Sequence, residues 1–111
     1  MIPDPAPPFE VDAPGTFTAS VRRMLDRAAA LGVGAEVERA VAEIFNFLFQ
    51  RPRDWGDPIR DYRKAQMTEY HGRHAKFLCI YAVHQRIPTV VVTQLIPQEG
   101  NPLFGEIFDE P

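Results

Sequence analysis

The side chains best suited to chemistry are concentrated in the middle of the chain, between residues 51 and 86. This segment carries eight Lys and Arg against four Asp and Glu, a balance of +4, whereas the remainder of the chain is −7. All three histidines, His71, His74 and His84, and the single cysteine, Cys79, lie in the same segment. Cations bind anions, histidines transfer protons, and His and Cys together can hold zinc, so these three kinds of chemistry need to be weighed.

The basic charge of this segment predicts a surface that binds an anionic target, either nucleic acid or an acidic protein segment. The alternative is a solvated face of mixed charge, because the four acidic residues alternate with the basic ones. The predicted anion-binding residues are Arg60, Arg63, Lys64, Arg73, Lys76 and Arg86.

Zinc is not predicted. His71 and His74 are three residues apart in an expected turn, Cys79 lies in an apolar run, and no fourth ligand is specified. We therefore expect no metal and no cofactor, and we interpret Cys79 as a small buried apolar residue.

The chain length of 111 residues, with 45% apolar residues, predicts one folded domain rather than a disordered chain. Five of the eleven prolines fall in the first 14 residues, so residues 1–8 are expected to form an extended arm. Residues 9–12 alternate apolar and acidic side chains, which predicts a short edge strand. No run of apolar residues is long enough to span a membrane, no signal peptide is evident, and a cytoplasmic location is expected.

Two helices fit the proline-free window that follows. The first is predicted to begin at Thr16 or Thr18, whose hydroxyls can cap free N–H groups, and to end at Gly32 and Gly34, which tolerate positive φ. The second is predicted over residues 35–49. The apolar stripes that define these helices are Val21, Met24, Leu25 and Ala28 in the first and Val37, Ala40, Val41, Ile44 and Leu48 in the second.

Beyond residue 59 the apolar period changes towards two, which indicates strands. We predict a strand over residues 62–70, a turn over residues 71–74, a central strand over residues 77–83 covered on both faces, and a final strand over residues 89–96. Because the connections are short, the strands should form an antiparallel meander. The predicted fold is α+β in the order β-α-α-β-β-β, with a two-helix hairpin on the sheet and a domain spanning residues 9–96.

Three phenylalanines are candidates for protein contact. Phe47 cannot share the buried stripe of its helix, so it either faces a partner or packs under the loop that carries Trp55. Phe104 and Phe108 lie in an apolar and acidic tail, residues 97–111, which either folds back on the basic segment or binds a neighbour by strand addition.

The order of elements resembles the RelE/ParE superfamily of bacterial toxin–antitoxin systems. The resemblance is carried by Pro52 and the sequence Gly-Asp-Pro-Ile at 56–59, similar to the family's linker into the meander, and by the strand 76–83 with its Tyr81-x-Val83 step. It implies a toxin, or an inactive relative, that binds an antitoxin-like protein over the sheet and the helix pair. The targets implied by the resemblance are DNA gyrase for the ParE branch, and the ribosome with its messenger RNA for the RelE branch.

The chain departs from the nuclease branch of that family. The last strand offers only Thr89, Thr93 and Gln94 as polar groups, and the tail has no Tyr, His, Lys or Arg. RNA cleavage requires groups that accept and donate protons and a cation at the phosphate, and no complete set is visible. His84 and Tyr81 could transfer protons, but Tyr81 lies in an apolar run and is expected to be part of the core. We therefore predict no catalytic residues and a protein-binding role, with a non-toxic dimeric interaction module and a ribosome-dependent endonuclease as alternatives.

Overall fold

The computed structural model describes residues 8–104, which form one sheet with helices on one side of it. In chain order the elements are β1 (Glu10–Asp12), α1 (Gly15–Ala30), α2 (Gly34–Gln50), α3 (Pro52–Trp55), β2 (Asp57–Tyr62), β3 (Met67–His74), β4 (Phe77–His84) and β5 (Thr89–Pro97). The strand order is β1-β5-β4-β3-β2, with β1 parallel to β5 and all other pairs antiparallel. The predicted α+β class, with a helix hairpin on a mostly antiparallel sheet, is confirmed.

The two long helices lie where the apolar periodicity places them. In α2 the residues Val37, Ala40, Ile44 and Leu48 are buried, as the 3.6-residue period requires. The predicted threonine cap of α1 is wrong, because Pro14 occupies the N-cap position and no side chain caps the helix. Thr18 instead donates from its hydroxyl to the Gly15 carbonyl, at 3.0 Å.

One glycine ends α1 and the other begins α2. Gly32 has φ +78°, a conformation that glycine adopts without strain, and this residue turns the chain between the helices. Gly34 is the first residue of α2 and has no positive φ, so its predicted role in ending α1 is wrong. A Cβ at Gly34 would lie 3.4 Å from the Ala29 Cα, an ordinary van der Waals contact, so the two helices are close together here but do not require glycine at this position.

The meander contains one strand more than predicted. The segment 62–70, expected to be one strand, contains the turn between β2 and β3, and the segment 71–74, expected to be a turn, completes β3. Pro58 is tolerated in β2 because this strand is at the edge of the sheet and is exposed throughout.

The turn between β3 and β4 consists of Ala75 and Lys76, both with positive φ, +51° and +61°. A two-residue hairpin turn of this kind usually carries Asn or Gly, and neither is present here. Sequence reasoning therefore placed the turn at the nearest glycine, Gly72, which lies inside β3.

The core lies between the helices and one face of the sheet. Alternate residues of β4, Phe77, Cys79, Tyr81 and Val83, are buried on that face. The intervening residues of β4 are only half-buried, and both long helices of the described chain lie on the core side. The prediction that this strand is central is correct, but the prediction that it is covered on both faces is wrong for residues 8–104.

An aromatic stack joins the α2–β2 connection to the sheet. The rings of Phe47, Trp55, Tyr81 and Tyr70 follow one another with centroids 5.1, 5.5 and 5.4 Å apart. Gly72 makes room for the stack, since a Cβ there would lie 2.6 Å from the Trp55 ring. Within residues 8–104, no helix has the length and apolar character needed to cross a bilayer.

Candidate functional site on the open face of the sheet

The face of the sheet turned away from the helices, here called the open face, collects most of the polar side chains of the meander. Paired residues of neighbouring strands have their side chains on the same face of the sheet, so the register shows on which face each side chain lies. The open face carries Asp57, Arg60 and Tyr62 from β2, Met67, Glu69, His71 and Arg73 from β3, Leu78, Ile80, Ala82 and His84 from β4, and Val91, Gln94 and Ile96 from β5. Its centre is an apolar strip, defined as Leu78, Ile80, Ala82, Val91 and Ile96, and each member is half-buried.

Glu69 is the centre of a polar cluster beside this strip. The Tyr62 hydroxyl donates to Glu69 Oε1 at 3.0 Å, and His71 Nε2 lies 3.2 Å from Glu69 Oε2. Arg60 Nε is 3.8 Å from the same oxygen. We call Arg60, Tyr62, Glu69 and His71 the Glu69 cluster; its carboxylate is 18% exposed and its imidazole 26% exposed, so solvent and ligands reach both.

The contacts fix the roles that these groups can play. A carboxylate only accepts hydrogen bonds, so the His71 nitrogen facing it, Nε2, carries a proton and Nδ1 points away. The hydrogen bond to Glu69 also raises the pKa of Tyr62, which keeps this hydroxyl protonated. The cluster therefore offers an oriented imidazole nitrogen next to the exposed guanidinium of Arg60.

His84 is held in one tautomer at the end of β4. Its Nδ1 accepts from the backbone N–H groups of Arg86 and Ile87, at 3.0 and 3.2 Å. Nδ1 accepts these bonds only when it carries no proton, so in this arrangement the ring proton lies on Nε2. In this state the ring can donate a hydrogen bond but lacks a free lone pair to remove a proton, which weighs against His84 as a general base.

Tyr81 and Cys79 are buried on the core side, as predicted for both. The Tyr81 hydroxyl donates to the Pro52 carbonyl at 2.6 Å and accepts from the Gly56 N–H at 2.9 Å. Burial raises the pKa of Tyr81, and it raises the pKa of the Cys79 thiol to about 12. Neither group is ionised near neutral pH, and neither is accessible for catalysis.

The six predicted anion-binding residues do not lie together. Arg63, Lys64 and Arg86 occupy the β2–β3 and β4–β5 turns, which lie side by side because the Gln85 N–H donates to the Gln66 carbonyl at 2.8 Å. Lys76 is in the β3–β4 turn at the opposite end of the sheet, and Arg73 is near it in β3. Arg60 lies between the two groups, in the Glu69 cluster.

The predicted protein-contact residues differ in their surroundings. Phe47 packs under the segment that carries Trp55, which was one of its two predicted alternatives. Its ring stacks on the Trp55 ring, with the centroids 5.1 Å apart, and contacts the His74 ring edge-on, also at 5.1 Å. Phe104 is half-buried and donates its N–H to the Asn101 carbonyl at 2.9 Å. Phe108 lies outside the described residues.

The histidines and the cysteine do not converge on a metal site. His71 is on the open face, whereas His74 points to the helix side, where its Nε2 lies 3.3 Å from Glu43 Oε1. Cys79 is also on the helix side. Within residues 8–104 no group of three or more His, Cys, Asp or Glu side chains is arranged to hold a metal ion.

Sequence reasoning missed the Glu69 cluster. Glu69 and His71 are two residues apart, which on a strand places both side chains on one face. That signal was present in the sequence but was lost when residues 71–74 were assigned to a turn. Tyr62 and Arg60 join the cluster only through the register of β2 against β3, with Arg60 paired to Glu69 and Tyr62 to Met67.

The chain matches no protein-family model and no curated protein sequence.

Proposed function

We propose that this chain is a RelE/ParE-like toxin of a bacterial toxin–antitoxin pair, or an inactive relative, that acts in the cytoplasm by binding a protein. The observation that carries the proposal is the open face. Its apolar strip is only half-buried in residues 8–104, and the Glu69 cluster and Arg73 border it.

The element order supports the same proposal. A short edge strand, a helix hairpin and an antiparallel meander agree with the order that suggested the resemblance. The basic residues at both ends of the meander favour a partner that presents carboxylates around an apolar segment. An antitoxin-like protein lying across the strip is therefore the proposed partner, with gyrase as the proposed target.

The first test is growth of bacteria in which the chain is induced, with and without the product of the adjacent reading frame. Arrest that the neighbouring product relieves is expected for a toxin. Harmless expression together with stable binding of the neighbouring product would identify an inactive relative, and harmless expression without binding would contradict both forms of the proposal.

The second test places a charge on the apolar strip. Ile80→Glu should weaken partner binding by about tenfold or more, because a buried charge without a partner opposes association. Ile87→Glu is the matched control, since Ile87 is 51% exposed in the β4–β5 turn and lies outside the strip. Equal affinity of the two variants for the partner would show that the partner does not cover the strip.

A second candidate function, cleavage of messenger RNA at the ribosome, is favoured by the Glu69 cluster. In this function His71 Nδ1 accepts the proton of a ribose 2′-hydroxyl while the 2′-oxygen bonds to phosphorus and the bond to the 5′-oxygen breaks. Arg60 and Arg73 stabilise the charge on the phosphate, and Glu69 orients the imidazole. The leaving 5′-oxygen takes its proton from water.

Glu69→Gln and His71→Ala distinguish this candidate from protein binding alone. Each should abolish cleavage of messenger RNA in arrested cells, whereas His74→Ala, on the other side of the sheet, should not. Arrest that persists in both variants without RNA fragments would leave protein binding as the activity.

A further inference from the structure

The two edges of the sheet differ in how they resist the addition of another strand. The β2 edge is exposed throughout, but it contains Pro58, a bulge between Pro58 and Arg60, and the charged side chains of Asp57 and Asp61. Proline, bulges and charges are features that keep an edge strand from pairing with another chain. β5 carries no charged residue, and its only proline is its last residue. The β5 edge therefore lacks the protection that the β2 edge has.

β1 covers the outer edge of β5 over only part of its length. It pairs with residues 89–91, whereas β5 continues to Pro97. Among residues 8–104, no other strand pairs with this edge beyond Val91. Residues 92–97 therefore present a strand edge that another strand can join.

The hydrogen bonds between β4 and β5 show which backbone groups point to this outer edge. The Gln98 N–H donates to the Lys76 carbonyl at 2.8 Å, where the pairing of the two strands ends. Bonded and non-bonded pairs alternate along an antiparallel ladder, so Gln94 and Ile96 bond to β4, and Leu95, between them, does not. The Leu95 N–H and C=O groups therefore point away from β4, towards the outer edge.

A groove of about 280 Å³ lies between this edge and the start of α1. Its floor is apolar, because Phe17 and Leu95 line it and are only 4% and 6% exposed. The other lining residues are uncharged: Thr16 and Ser20 of α1, and Thr93, Gln94 and Ile96 of β5. The groove therefore suits an uncharged strand, since a charged side chain placed in it would lose its solvation without gaining a partner.

A second copy of β5 fits both the charge and the hydrogen-bond pattern of this edge. Because β5 has no charged side chain, its pairing with itself places no like charges opposite each other. Across a twofold axis a residue can lie opposite itself, and an antiparallel hydrogen-bonded pair exchanges both of its N–H···O=C bonds. Leu95 of each copy can thus donate to and accept from Leu95 of the other. Gln94 then lies opposite Ile96, and both residues belong to the open face.

We propose that two copies of the chain associate through this edge, with their β5 strands antiparallel and the twofold axis at Leu95. The two five-stranded sheets then form one sheet of ten strands, with the helices of both copies on the same side. Interfaces that bury less than about 1,200 Å² in total are weak, and so short a paired stretch belongs to this class, so dissociation at micromolar concentration is expected. This inference does not require the toxin proposal, because it rests on the edge of the sheet alone.

Hydrogen exchange followed by NMR over a dilution series, with the mass measured by sedimentation, tests the proposal on the unaltered chain. At high concentration the particle should have the mass of two copies, and the Leu95 amide should be protected. Dilution should halve the mass and accelerate exchange at Leu95 by about tenfold or more. The amides of Gln94 and Ile96, which bond to β4, should keep their protection at every concentration.

A charge at the edge provides the second test. Gln94→Lys should weaken self-association by about tenfold or more, since it places two ammonium groups near the axis on one face of the joined sheet. Gln50→Lys is the matched control, because it adds the same charge at the end of α2, beside the start of β1, and should leave self-association unchanged.

A chain that stays monomeric up to millimolar concentration would overturn the proposal, and so would equal self-association of the two variants. Protection of the Leu95 amide that persists in the monomer would also overturn it, because the edge would then be covered by the chain itself. The exchange measurement needs no substitution, so the proposal can be tested even if Gln94→Lys does not fold.

Discussion

The two faces of the sheet follow the same alternation but differ in what their residues do. On the helix side, Val92, Tyr81 and Phe77 are at most 1% exposed and contact other apolar residues. On the open face, neighbouring positions of the same strands, such as Val91 and Ile80, are half-buried, and Ile80 is paired with the ionisable His71. The helix side therefore contributes most of the stability, whereas the open face retains side chains that can interact with another molecule.

The largest expected difference between the faces comes from two adjacent valines of β5. Val92→Ala should lower the free energy of unfolding by about 2.5 kcal/mol, because two buried carbons are lost and a cavity remains. Val91→Ala should lower it by about 0.5 kcal/mol, since this side chain is already in contact with water. Urea unfolding of both variants measures the difference, and equal losses would show that the open face is covered in solution.

Two stacked tyrosines provide a second comparison. Tyr81→Phe should lower stability by about 1.5 kcal/mol, because the Pro52 carbonyl and the Gly56 N–H lose their shared hydroxyl partner. Tyr70→Phe keeps the same ring stacking and serves as the control, with an expected loss below about 0.5 kcal/mol. A similar loss in both would mean that the hydroxyl contacts of Tyr81 contribute little.

Alkaline pH should lower the free energy of unfolding through Cys79, which is buried on the helix side of the sheet. Its pKa rises from 9.0 to about 12 on burial, so between these values the unfolded chain ionises the thiol and the folded chain does not. The thiol's contribution to the free energy of unfolding is fully present below pH 9. It is lost as the pH rises towards 12, by about 1.4 kcal/mol for each pH unit above 9. Urea unfolding between pH 8 and 10 should show this loss, and Cys79→Ala should reduce its slope; an unchanged slope would contradict the assignment to Cys79.

The smallest effect is expected at the β3–β4 turn, where a gain is predicted. Ala75→Asn with Lys76→Gly places residues that tolerate positive φ at both positions, and should raise stability by about 0.5–1 kcal/mol. The matched control is Ala65→Gly in the β2–β3 turn, which has no positive φ at this position. A loss of stability in the double variant would show that the Lys76 side chain, which lies close to Gly100, matters more than the backbone conformation.

The sequence predicted the helices well and the strands unevenly. The apolar stripe of α2 repeats over four helical turns. Both ends of this helix therefore lie within one residue of the predicted ends. The prediction of β2 and β3 was wrong because the turns that bound β3 contain no glycine. Gly72 instead lies inside β3, where a larger side chain would collide with the Trp55 ring. The missed strand boundary also hid the Glu69–His71 contact, since residues assigned to a turn have no common face.

Local sequence was sufficient for properties that depend on period and composition. These are the α+β class, the central position of β4 and the burial of Cys79 and Tyr81. Tertiary structure decided the properties that depend on pairing between distant segments: which cations are neighbours, which imidazole nitrogen is free, and how far β1 covers β5. The physical reason is that strand register depends on turn geometry as well as on the hydrophobic pattern, and a one-residue change of register moves every side chain of a strand to the other face. The β3–β4 turn, formed by Ala75 and Lys76 without a glycine, gave no local signal of that geometry.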